Sequence, residues 1–127
     1  MEQSTWGGFM VLRSPSPSEL LLLNFLIVGA DHFEPSGKLL GRIKVADMND
    51  GGMGSLRLFP QGSDALDVKF GKRASACQFT DEDGVEVIAS LNLDQNGNLY
   101  ELDIWRTDFG RVTRIPDNRK ELRLEEM

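Results

Sequence analysis

Val85-Glu86-Val87-Ile88-Ala89-Ser90-Leu91-Asn92-Leu93-Asp94, the link Gln95-Asn96-Gly97-Asn98, and Leu99-Tyr100-Glu101-Leu102-Asp103-Ile104-Trp105 are the residues that decide the fold. Apolar and polar side chains alternate on both sides of Asn96-Gly97, a dipeptide whose ease in left-handed backbone makes it a strong hairpin signal. A two-residue turn there sets a register: Gln95 faces Asn98, Leu93 faces Tyr100, Leu91 faces Leu102 and Ala89 faces Ile104, with Val87 next. That face is apolar throughout and is predicted to be the core side. The opposite face pairs Asp94 with Leu99, Asn92 with Glu101, Ser90 with Asp103 and Ile88 with Trp105. It is predicted to meet water, acidic near the turn and apolar at its far end.

Upstream, Ser16-Pro17-Ser18-Glu19 has the pattern of a capping box, with proline where the first helical turn needs no amide. A helix is expected through Val28, apolar nearly all round and therefore largely buried, with Gly29 as its stop. Before it, Trp6, Phe9, Val11 and Leu12 suit an added edge strand or a docked arm. After a loop containing Pro35, Gly37 and Gly41, Ile43–Met48 and Met53–Phe59 flank the turn residues Asn49-Asp50-Gly51-Gly52. Asp67–Phe70 reads as a weaker strand and Arg73–Thr80 as a stronger one. Arg111–Ile115 is predicted to add a short strand before Pro116, and Asp117–Met127 to be a frayed helix or disordered. The expected fold class is α+β, one N-terminal amphipathic helix packed on an antiparallel β-meander of about five or six strands. The 127 residues suit a single domain, with an ordered core over roughly 16–115.

Composition narrows the function. The formal charge of −6 is uneven: seven acids and no lysine or arginine lie between Ala74 and Trp105, whereas six of the fourteen bases follow from Arg106 onward. An acidic total disfavours nucleic acid as a partner, because phosphate backbones are bound by clustered cations. A basic protein is the more natural charged partner. No apolar run approaches a membrane span, no cationic leader precedes one, and the lone Cys77 forms no internal disulfide, so a cytoplasmic location is expected.

Asn92-Leu93-Asp94-Gln95-Asn96-Gly97 with Asp103 at the twelfth position resembles a calcium loop. Asn92 stands where a carboxylate is wanted, Asp103 is shorter than the usual glutamate, and strands flank it, so the hairpin is favoured. Asn49-Asp50-Gly51-Gly52-Met53-Gly54-Ser55 has the glycine content of a phosphate loop but lacks its lysine and its following helix. A bulged turn is the better account. His32 has no identifiable catalytic companion, and Cys77 is expected to pack beside Phe79. No nucleophile elbow, zinc spacing or dinucleotide fingerprint is present, so no enzyme activity, metal or cofactor is expected.

Three stretches carry a resemblance: Asn49-Asp50-Gly51-Gly52-Met53-Gly54-Ser55-Leu56, Phe79-Thr80-Asp81-Glu82-Asp83-Gly84-Val85, and Asn96-Gly97-Asn98-Leu99-Tyr100-Glu101-Leu102-Asp103-Ile104-Trp105-Arg106-Thr107-Asp108-Phe109. Together they resemble a small bacterial family catalogued only as a domain of unknown function, over roughly Ser16 to Ile115. The resemblance implies a helix followed by a meander and brings no activity with it. By analogy alone, small acidic α+β bacterial families include immunity proteins that neutralise toxins. The expectation is therefore a non-enzymatic, acidic protein-binding domain, of which an inhibitor of a basic toxin is one form. Its contact residues would be Asn92, Asp94, Glu101, Asp103 and Trp105, with the glycine-rich turn Asp50, Gly51, Gly52 and Gly54 as a second feature. The alternative is a small-ligand or divalent-metal site on the same acidic sheet face.

Overall fold

The computed structural model describes residues 11–30, 41–60 and 68–125. One helix, α1 (Pro17–Val28), packs on a six-stranded antiparallel sheet: β1 (Lys44–Asp47), β2 (Leu56–Phe59), β3 (Phe70–Thr80), β4 (Glu86–Asp94), β5 (Leu99–Arg106) and β6 (Arg123–Leu124). The expected α+β class is the one observed. Strand order is β1-β2-β5-β4-β3-β6. A meander holds for β3, β4 and β5, but the β1–β2 hairpin docks on the outer edge of β5, and the chain returns to put β6 on β3. Among the described residues no helix is long and apolar enough to cross a membrane.

The capping box forms as its spacing dictates. Ser16 Oγ accepts from the Glu19 amide at 3.2 Å, and Glu19 Oε1 accepts from the Ser16 amide at 2.8 Å. Glu19 also receives Arg13, whose guanidinium bridges to Asp47 and whose backbone pairs with Val45. The chain docks on the sheet at Arg13, next to the residues expected to form an arm; of those, Val11 is exposed, and Trp6 and Phe9 lie outside the described residues, as do His32, Pro35 and Gly37. From α1, Leu22, Leu23, Leu26 and Ile27 enter a core shared with Val45, Leu56, Leu58, Cys77, Phe79, Val87, Ala89, Leu91, Leu102 and Ile104. Ser75, at the end of β3's row in that core, donates its hydroxyl to the Leu26 carbonyl at 2.6 Å. Cys77 is fully buried, and burial followed by the charge of Glu125 pushes its thiol up to about 12, which suits packing and not reactivity.

Two expectations fail after β5. Arg111–Ile115 forms no strand, and runs as an irregular segment that seats Val112 and Ile115 against the core and buries Pro116. The tail expected to fray instead makes a 3-10 turn at Arg119–Glu121 and then β6. Leu122 anchors it in the core, and Leu124 lies against Gly29 so closely that a Cβ there would meet its Cδ1 at 2.5 Å.

The β4–β5 register matches the expected one from Ile88↔Trp105 to Asn92↔Glu101, then shifts. Leu93 sits opposite Leu99, with Tyr100 as the extra residue of a bulge. The turn is longer than the Asn96-Gly97 pair. The Asp94 carbonyl accepts from the Gly97 amide at 3.0 Å, and the Asp94 amide donates to the Asn98 carbonyl at 2.8 Å. Only Gly97, at φ +84, takes left-handed backbone there. This is a three-residue connection closed by a glycine bulge. Asp94 imposes it, since its Oδ1 accepts from the amides of Asn96 at 2.8 Å and Asn98 at 3.0 Å. Aspartate at the first position of such a turn and glycine at the fourth are the favoured residues. As a result Leu99 turns into the core, and Tyr100, expected opposite Leu93 in the core, is half-buried against Arg57.

Because Asp94 acts through its Oδ1, Asp94→Asn should keep the hairpin and most of its stability. Asp94→Ala should cost about 1 to 3 kcal/mol in denaturant unfolding by leaving two turn amides without their acceptor.

Candidate functional site

Continuing the alternation of β5 past Leu102 and Ile104 puts Arg106 on the core face, opposite Val87. Continuing β3 past Cys77 and Phe79 puts Asp81 there as well. These two charged side chains close one end of the core. The Arg106 side chain is 7% exposed and the Asp81 side chain is fully buried, with Nη1 to Oδ2 at 2.7 Å. Every donor of the guanidinium is used: Nε to Asp108 Oδ1 at 2.7 Å, Nη1 also to the Arg111 carbonyl at 3.2 Å, and Nη2 to Asp83 and to Asp108 Oδ2. Asp81 is as completely occupied, receiving the Glu82 amide at 2.8 Å, the Thr113 amide at 2.9 Å and the Thr113 hydroxyl at 2.6 Å. Burial raises the Asp81 carboxyl, but the Thr113 and Glu82 donors together with Arg106 outweigh it and bring the pKa down to about 2. Asp83 and Asp108 are also held below the usual carboxylate range, chiefly by hydrogen bonds from Arg106.

The glycine-rich turn joins the same end of the sheet. Asp50 folds it back on itself, accepting from the amides of Met53 at 3.1 Å, Gly54 at 3.4 Å and Ser55 at 2.9 Å. Partial burial raises its carboxyl, yet these amides win and leave it lowered. The amides an anion would seek in a phosphate loop are therefore already taken by the protein's own carboxylate. Gly52, at φ +87, receives the Arg111 side chain where a Cβ would be 2.8 Å from Cγ, and its carbonyl accepts from the Val112 amide at 3.2 Å. Gly51 and Gly54 also take positive φ. Met53 Sδ accepts from the Arg106 amide at 3.4 Å. All three stretches that carry the family resemblance thus meet around Arg106.

The sheet face named as acidic and solvated is different in kind. Asn92 and Asp94 are buried, as is Ser90, so the expectation of an open polar face is corrected for them. Asn92 Nδ2 donates to Glu101 Oε1 at 2.9 Å, the cross-strand pair the register implies. Asp94 is spent on the turn. Glu101 is half-buried, and Asp103 is exposed. Its carboxyl is raised by the desolvating neighbourhood first and by the negative charge of Asp50 second. These carboxylates do not converge: among the described residues no group of three or more His, Cys, Asp or Glu is placed to hold a metal ion.

Trp105 is 37% exposed and meets Phe109 edge-on, with ring centroids 5.9 Å apart. Phe109 is 72% exposed and has φ +64, left-handed backbone in a bulky residue other than glycine. The bend is held from both sides: the Phe109 amide donates to the Arg106 carbonyl at 2.8 Å, and the Gly110 amide to Asp108 Oδ1 at 2.9 Å. Neither Arg106 nor Phe109 was singled out from the sequence as functional. The alternation that placed Leu102 and Ile104 inside would have flagged Arg106, whereas no sequence signal announces the backbone of Phe109.

The molecule is thus a small α+β protein with an ion-paired plug at one end of its sheet and an exposed aromatic pair beside it. It belongs to the family described as Domain of unknown function (DUF6984), whose model matches residues 12–116. No curated protein and no solved structure matches the chain.

Removing Asp81 leaves a buried guanidinium short of its fully buried partner, so Asp81→Ala should cost about 3 kcal/mol or more. The depressed Asp81 pKa sets an acid limit. Its contribution is complete above the unfolded value near 4 and is lost as pH falls through about 2. Urea melts across that window should show a steep acid limb in the wild type and a shallower one in Asp81→Asn.

Proposed function

We propose that this chain is a non-enzymatic protein-binding domain that presents Trp105 and Phe109 to a basic partner. The observation that carries this is Phe109. Left-handed backbone in such a residue costs on the order of 1 to 2 kcal/mol, and burial of the side chain does not repay it. Strain of this kind, kept by a rigid surround and spent on exposing a ring, is a mark of functional positions. Paired aromatics in a charged rim are also the usual anchors of protein interfaces.

The rim supports a basic partner. Glu101 and Asp103 share the outward side of β5 with Trp105, and Asp83 and Asp108 stand about half exposed at the strand's end. Arg106 offsets only one of the three carboxylates it binds, so these four groups carry a net charge of −2. Such a field speeds encounter with a cationic surface, and the effect fades with salt. Asp94 and Asn92 belong to the scaffold of this surface and not to its contact set. A toxin held by an immunity-type inhibitor in a bacterial cytoplasm is one partner of this chemistry, suggested by composition and analogy.

Phe109→Gly separates binding from folding. It relieves the backbone, so it should raise stability slightly or leave it unchanged, while weakening partner binding at least tenfold. A photo-crosslinking phenylalanine analogue at position 109 should capture a basic protein at low salt and lose it at high salt. Capture that ignores salt, or cross-links confined to other copies of this chain, would sink the proposal. With the captured partner in hand, Glu101→Gln with Asp103→Asn should slow association without changing the fold.

A further inference from the structure

Arg57 lies on β2 with its side chain on the sheet face away from α1, since its neighbours Leu56 and Leu58 enter the helix-side core. Its guanidinium carbon is 4.4 Å from the centroid of the Tyr100 ring and 5.6 Å from that of Phe59. The Tyr100 contact follows from the turn geometry, because the bulge that sends Leu99 inward leaves Tyr100 beside Arg57, whereas Phe59 shares its face of β2 two residues on. Glu101 is the residue opposite Arg57 in the β2–β5 register and would be its natural ion-pair partner. Its carboxylate is instead engaged by Asn92 at 2.9 Å.

Arg57 is consequently left without a carboxylate among the described residues, as is Arg73 on β3, but Arg73 is exposed whereas Arg57 is half-buried. Arg106 and Arg123 each hold carboxylates, as does Arg13 beside β1. Arg57 has none among the described residues, and its Nε is the one buried side-chain nitrogen or oxygen among them with no hydrogen-bond partner. A ring over the face of a guanidinium leaves its in-plane N–H donors unused by that contact. Tyr100 and Phe59 also hold the group still, which removes part of the ordering cost of binding. The result is a guanidinium fork held in place by two rings.

We propose that Arg57, stacked on Tyr100, is a binding site for a carboxylate, received side-on by Nε and a terminal nitrogen after the group that shields Nε shifts. A carboxylate fits the planar fork through two parallel bonds. It also suits the surroundings better than a phosphate dianion, because Glu101 and Asp103 on the adjoining strand repel a second negative charge. The carboxylate is that of a small organic acid or of an acidic side chain on a bound protein. The site does not depend on Trp105 or Phe109, so it stands or falls separately from the interface proposed above.

The test is an NMR titration of the Arg57 Nε–H resonance at constant ionic strength, with sodium acetate, a capped glutamate-containing tripeptide, inorganic phosphate and sodium chloride as probes. Saturable shifts with acetate and the peptide, and none with chloride, are the expected result. A similar affinity for both points to a small organic acid, and at least tenfold tighter binding of the peptide points to a protein side chain. Arg57→Lys keeps the charge but loses the fork, and should weaken carboxylate binding at least tenfold with an unchanged melting temperature. Absence of a saturable shift with either carboxylate overturns the site, as does saturation by phosphate alone. Equal binding by Arg57→Lys overturns the role given to the fork.

Discussion

The sheet of this protein ends in a charge that has to be buried. Arg106 lies on the core side of β5, one step past Ile104, and no water-facing alternative exists without turning the whole strand over. A guanidinium in that position is tolerable only if its donors are all met, and the chain brings three aspartates and a carbonyl to meet them. Much of the surrounding structure follows from this requirement. The β3–β4 turn places Asp81 and Asp83, the bend after β5 places Asp108, and the segment without regular structure is held by Thr113 on Asp81. The glycine-rich turn closes over the outside, tied to Arg106 through Met53 and to the returning chain through Gly52.

The same cluster fixes the exposed aromatic pair. Asp108 binds Arg106 with both oxygens and also takes the Gly110 amide, and the Arg106 carbonyl takes the Phe109 amide. Phe109 is therefore set in its left-handed bend by groups whose other task is to neutralise a buried charge. Stability and presentation of the surface are coupled at one place. Loss of the ion pairs would release the bend as well as open the end of the core.

At the opposite end of the hairpin a second aspartate does comparable work with no ion pair. Asp94 gathers two turn amides and selects a three-residue connection over a two-residue one. The added residue exchanges the roles of Leu99 and Tyr100. Leucine goes to the core, and tyrosine goes to Arg57, which lies across from a glutamate engaged elsewhere. A turn preference thus propagates into the chemistry of the far sheet face, where a guanidinium comes to lie over a ring with no carboxylate partner among the described residues.

Much of the architecture was legible in order and spacing alone. Ser16 to Glu19 announces the start of α1, and the alternation along β4 and β5 gives their pairing from Ile88 to Asn92, because local hydrogen bonding and a period of two are properties of neighbouring residues. The aspartates could be read as acidic but not as used. Whether Asp50, Asp81 and Asp94 face water or close a loop depends on amides and an arginine that are remote in the chain or in an undetermined turn. The docking of β1–β2 on β5, the pairing of β6 with β3 and the irregular path of Arg111–Ile115 were likewise settled only by tertiary structure. Each satisfies a buried group on a distant element, and sequence periodicity carries no record of distance in space.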